Sequence, residues 1–152
     1  MLLVLPVMLL LPGFSDDINT LAELLKQARK KSPEKTQVIF TVNPDDCVNC
    51  LYNFHLQLKK LQHSSKAETT LIFRSRRAIE RNRILKDDFA DVDTTKTKVI
   101  WNDLLYKDAL KQSALTAPGS VLLIYDKSGK IIFKKLVKEI NGLEKEIADL
   151  VN

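Results

Sequence analysis

Residues 36–61, TQVIFTVNPDDCVNCLYNFHLQLKKL, limit what this chain can fold into more than any other stretch. Val38, Ile39, Phe40, Thr41 and Val42 have the β-branched and aromatic composition of a buried strand. Asn43 and Pro44 stop that strand. Beyond the turn, Leu51, Phe54, Leu58 and Leu61 recur at three- and four-residue steps, which is one face of a helix. Cys47 and Cys50, the only cysteines in the chain, therefore fall where a tight turn enters a helix.

That placement has chemical consequences. The thiolate is the nucleophile of disulfide exchange, and the unsatisfied N–H groups of a helix N-terminus favour negative charge. Cys47 is expected to be the exposed attacker. Cys50, one helical turn on, is placed to attack the mixed disulfide that forms. A structural zinc needs four ligands, and only His55 and His63 remain as nitrogen donors, so no metal site is expected. A c-type haem would need His directly after the second cysteine, where Leu51 stands. A disulfide closing so small a loop stabilises little, so redox chemistry is the better use of the pair.

The order strand, CxxC, long helix resembles the thioredoxin fold. The segment 118–133, PGSVLLIYDKSGKIIF, looks like the strand–turn–strand hairpin of the same superfamily. The resemblance is strongest to its redoxin branch, which includes periplasmic thiol–disulfide reductases, and runs from about residue 17 to the C-terminus. It implies an α/β domain with a central mixed sheet flanked by helices and the CxxC at a helix N-terminus. It also implies a dithiol–disulfide cycle through Cys47 and Cys50, without a cofactor. Partners would be a disulfide-containing protein substrate and an upstream thiol donor.

The chain departs from the usual pattern at several positions. Relatives commonly carry Trp before the first cysteine and Gly-Pro between the two; here Asp46 precedes Cys47, and Val48 and Asn49 lie between. Asp45 and Asp46 oppose the helix dipole and should raise the thiol pKa, which favours the reducing end of the superfamily. The buried acid that some relatives place in the preceding strand is replaced by Thr41 or its neighbours. A cis-proline facing the cysteines is expected at Ser120, counting back from Asp126, yet the nearest proline is Pro118. Ala117, Pro118, Gly119 and Ser120 are accordingly the expected substrate-binding loop, and a plain Pro-Gly turn is the alternative.

The remaining elements follow from periodicity and punctuation. A helix is expected over 16–31, with Thr20 and Glu23 as a capping box, Ile18, Leu21, Leu25 and Ala28 as its buried stripe, and Arg29, Lys30 and Lys31 at its end. Strands are expected at 69–73, 99–101, 121–125 and 130–135, the last two joined by a turn over 126–129. A strand–helix–strand order implies parallel pairing of the first two strands. Further helices are expected over 77–89, 103–111 and 141–151. Trp101 is expected in the core, Tyr52 near the site, and His55 and His63 on a wetted helix face.

One domain over 16–152 accounts for the length, and 45% hydrophobic with 28% charged residues describes a globular chain. Residues 1–15, MLLVLPVMLLLPGFS, are too short an apolar run to span a bilayer. They fit the apolar region of a secretory signal, with small residues at 13 and 15, or else an uncleaved N-terminal anchor, since no basic residue precedes the run. Export to the periplasm or another extracytoplasmic compartment is the expectation, with membrane association through this segment if it is retained.

The net charge is +5, and residues 74–86 alone carry six basic residues against Glu80. That run is read as a solvated helix face rather than a nucleic-acid site, because no aromatic interleaves with its arginines. Two functions therefore stand. One is a thiol–disulfide oxidoreductase; the other is a thioredoxin-like binding module that docks a partner through the loops and the basic helix.

Overall fold

A computed structural model of the protein describes residues 18–46, 48–75, 92–116 and 119–152. The described elements run α1 (Leu21–Lys31), β1 (Thr36–Val42), α2 (Val48–Gln62), β2 (Ala67–Phe73), β3 (Thr97–Trp101), α3 (Asp103–Ser113), β4 (Val121–Tyr125), β5 (Ile131–Leu136), a single 3-10 turn (Val137–Glu139) and α4 (Glu144–Val151). The five strands form one sheet in the order β3-β2-β1-β4-β5. β1, β2 and β3 are parallel, whereas β4 runs antiparallel to β1 and β5 antiparallel to β4. The mixed sheet expected from the sequence is thus present, with β1 at its centre.

All seven residues of β1 are buried, because helices cover both faces of the sheet. Alternation along the strand sorts its side chains. Val38, Phe40 and Val42 pack with Leu51, Phe54 and Leu58 of α2 and with Ile147 and Val151 of α4. The rings of Phe40 and Phe54 meet edge to face, 4.5 Å between centroids. Ile39 points the other way, into a second core built from Leu21, Leu24 and Leu25 of α1 and Leu105, Tyr106 and Ala109 of α3.

The caps explain where the helices begin. Thr20 is extended and its Oγ1 accepts from the Glu23 N–H, while Glu23 Oε2 accepts from the Thr20 N–H, so the expected capping box forms. The helix therefore starts at Leu21 rather than at residue 16, and Asp16 lies outside the described residues. Asn102 caps α3, its Oδ1 accepting from the Leu105 N–H at 3.0 Å. The same side chain donates to the Ile18 carbonyl at 3.1 Å, so the chain enters α1 beside the C-terminal end of β3.

The β4–β5 turn forms as the sequence implies. Asp126 Oδ1 accepts from the Ser128 and Lys130 N–H groups, each at 2.9 Å, and Gly129 adopts φ +87°. A Cβ at Gly129 would fall 2.6 Å from the Arg29 guanidinium, which donates to the Ser128 carbonyl. Glycine is favoured there by conformation, since the guanidinium is the far end of a flexible side chain and can give way. The last helix begins at Glu144, not residue 141, because Val137–Glu139 and the turn after it carry the chain off β5 first. The helix expected over 77–89, and all of the basic run beyond Ser75, lie outside the described residues.

Candidate functional site

The site lies at the C-terminal end of β1, where strand pairing sets Thr41 opposite Val121. Two connections meet there: the turn 43–46 that leads into α2, and the residues that enter β4. The turn closes through its own groups. The Asp46 N–H donates to the Asn43 carbonyl at 3.2 Å, and the Asp45 N–H to Asn43 Oδ1 at 3.1 Å. Asn and Pro at its head thus do what the sequence pattern implies.

Cys50 sits in the first turn of α2, half-buried, and is disulfide-bonded. Cys47, the chain's other cysteine, lies outside the described residues, as do Ala117 and Pro118. No cis peptide bond occurs among the described residues. Gly119 and Ser120 are described and buried.

Both residues are held against the β1–α2 turn. The Ser120 N–H donates to Asp46 Oδ2 at 2.7 Å. Ser120 Oγ accepts from the Asn43 N–H at 2.8 Å, and the Ser120 carbonyl accepts from the Val137 N–H at 2.8 Å. Ser120 is only 1% exposed, so its donor and acceptors serve the protein itself. One residue on, the Val121 N–H donates to Thr41 Oγ1 at 3.0 Å. Thr41, wholly buried, thus supplies a neutral acceptor at the strand end, where the sequence offers no acid.

Tyr106 of α3 completes the neighbourhood. It is 7% exposed, and burial first, then the negative charge of Asp46, pushes its phenol up to about 12. It therefore stays neutral throughout the physiological range. Sequence reading passed over Tyr106, because Leu105, Tyr106 and Ala109 look only like an apolar helix stripe. Asp103 at the start of α3 pairs with Arg74 at 2.8 Å and Lys107 at 2.6 Å, which holds its carboxyl below the usual carboxylate range.

Other expectations divide. Tyr52 is exposed, and Trp101 stacks on Phe73 with 4.5 Å between centroids, half-buried against the core. His55 is a correction: it is 8% exposed, not on a wetted face, because β2, the 3-10 turn after β5 and α4 all pack against α2 and widen its buried face. His63 is exposed and borders a cleft of about 210 Å³ with Gln57, Lys60 and Glu144, at the end of α2 remote from Cys50. Among the described residues no three His, Cys, Asp or Glu side chains converge as a metal site, and no helix is long and apolar enough to cross a membrane.

No family model matches the chain, and no curated protein does. Solved structures do match. One is the C-terminal domain of a Bacteroides thetaiotaomicron protein described as a thiol-disulfide oxidoreductase, 19% identical, TM-score 0.53, covering 80% of this chain and 82% of that one. A thioredoxin-like protein from Aeropyrum pernix is 12% identical at TM-score 0.52, over 84% and 94%. A peroxiredoxin-like protein from Aquifex aeolicus is 17% identical at TM-score 0.51, over 78% and 73%. With the strand order, the helices on both faces and the position of α2, these likenesses establish the architecture: this chain has a thioredoxin-like fold.

Proposed function

We propose that the protein is a thiol–disulfide oxidoreductase that reduces protein disulfides through Cys47 and Cys50. The observation that carries this reading is Cys50 itself: it stands disulfide-bonded in the first turn of α2, at the end of the central strand, in a chain with one other cysteine. The Cys47 thiolate attacks one sulfur of the substrate disulfide. The S–S bond breaks, a Cys47–substrate bond forms, and the departing substrate thiolate takes up a proton. Cys50, deprotonated by water, then attacks the Cys47 sulfur and releases the second substrate thiol. Two electrons have passed to the substrate, and the pair is left oxidised until an upstream dithiol reduces it.

Asp45 and Asp46 set the direction. Negative charge beside Cys47 raises its thiol pKa, stabilises the disulfide relative to a dithiolate-like state and places the pair at the reducing end of the range. The segment 117–120 lines the substrate side: Ala117 and Pro118 meet the extended substrate, while Gly119 and Ser120 anchor them. The protein works in an extracytoplasmic compartment. If residues 1–15 are retained, they associate the protein with the membrane.

Trapping tests the reading. Cys50→Ser leaves the attacker without its resolver, so incubation with oxidised insulin should accumulate a Cys47–insulin mixed disulfide, visible by non-reducing electrophoresis and mass. Cys47→Ser should form none. A Cys50→Ser protein that forms no adduct would exclude the dithiol cycle and leave the binding module.

A further inference from the structure

The β1–α2 turn and the β4 entrance are joined by a carboxylate one residue before the attacking cysteine, which nothing in the dithiol cycle itself requires. Asp46 Oδ2 accepts from the Ser120 N–H at 2.7 Å, and Oδ1 lies 3.4 Å from where a Cβ on Gly119 would stand. Both carboxylate oxygens therefore face the Gly119–Ser120 backbone. Gly119 is buried with φ +152°, a conformation that a side chain would strain. A Cβ there would only touch the carboxylate at ordinary contact distance, so it is the backbone conformation that calls for glycine. Ser120 Oγ returns the link to the Asn43 N–H at 2.8 Å, so each connection both gives to and accepts from the other.

We propose that Asp46 is a positioning residue for protein substrates: it fixes the Gly119–Ser120 backbone at a set distance from the turn 43–46. The inference rests on the oxidoreductase reading and deepens it. A backbone N–H to a carboxylate is among the stronger protein hydrogen bonds and directional. Residues joined this way move together, so the segment before Ser120 and the residue before Cys47 keep one spacing. An extended polypeptide crossing both is gripped in register with the sulfur. A small disulfide, which touches only the sulfur, gains nothing from that register.

Two variants separate the tether from the charge. Asp46→Asn and Asp46→Ala both remove the charge beside Cys47, so any effect on thiol reactivity is common to them. Only Asp46→Ala loses the acceptor. Hydrogen exchange of the Ser120 amide, read by NMR, should quicken about tenfold to a hundredfold in Asp46→Ala relative to Asp46→Asn. The kcat/KM for insulin reduction, divided by the rate with 5,5′-dithiobis(2-nitrobenzoate), should fall about tenfold or more in Asp46→Ala, mainly through KM, and be held by Asp46→Asn. Equal Ser120 exchange in the two variants, or an unchanged ratio in Asp46→Ala, overturns the proposal. A ratio that falls equally in both variants overturns it too, because charge would then be the cause. A wild-type protein inert towards both disulfides removes the oxidoreductase reading instead, and the Ser120 exchange still decides the tether by itself.

Discussion

Thr41 shows how much a single side chain can carry without any signature in the chain. It is wholly buried, and its hydroxyl accepts the Val121 N–H, 80 residues away in sequence. Thr41→Val keeps the shape but strands that buried donor, at a cost of about 1–3 kcal/mol in urea unfolding. Ser120 and Asp46 are of the same kind: their bonds join residues 74 and 77 positions apart, and no periodicity or spacing encodes such pairs. The cysteines, by contrast, stand out in the sequence by their spacing alone. Tyrosine ionisation supplies a second test at this scale. Tyr106 and Tyr125 are both pushed up to about 12, chiefly by burial, from the ordinary phenol value of 10.0. Their raised folded pKa adds stability that is fully present below pH ~10 and is lost as pH rises towards ~12. An absorbance titration at alkaline pH should show two of the three tyrosines ionising near pH 12, together with the loss of native circular dichroism.

At the scale of elements, local rules and apolar period did most of the work. Thr20 and Glu23 form the capping box their spacing implies, and Thr20→Ala should cost about 1 kcal/mol, measured by thermal or urea unfolding. The strands at 69–73 and 99–101 were short by two residues each, because Ala67, Glu68 and Lys98 carry weak strand propensity or charge and cut Thr97 off from the apolar run, and all four are held by pairing or continuity with their neighbours. His55 was misplaced for a similar reason. A polar residue reads as a wet face until tertiary packing covers it. Phe54, by contrast, is fixed by its period and by its edge-to-face partner Phe40. Phe54→Ala should cost about 3–5 kcal/mol, since a wholly buried ring between the sheet and α2 leaves a cavity that neighbours cannot fill.

For the whole molecule, the strand–CxxC–helix order was enough to imply the sheet, because parallel β1 and β2 with a helix between them and a terminal hairpin admit few closures. The sheet then brings the turn before Cys47 against the entrance to β4, two segments more than seventy residues apart in sequence. Neither segment is a site alone. In the proposed oxidoreductase their meeting would give the Cys47–Cys50 pair a fixed wall, and the acidic approach to Cys47 would set which way electrons run. The reduction potential of the Cys47–Cys50 pair, obtained by equilibration in dithiothreitol and glutathione buffers with Cys47→Ser as control, tests that account most directly. A single two-electron transition near or below about −270 mV is predicted, at the thioredoxin end of the scale. A potential near about −120 mV would contradict the reducing role assigned to Asp45 and Asp46, and a pair that exchanges with neither buffer would contradict the oxidoreductase itself.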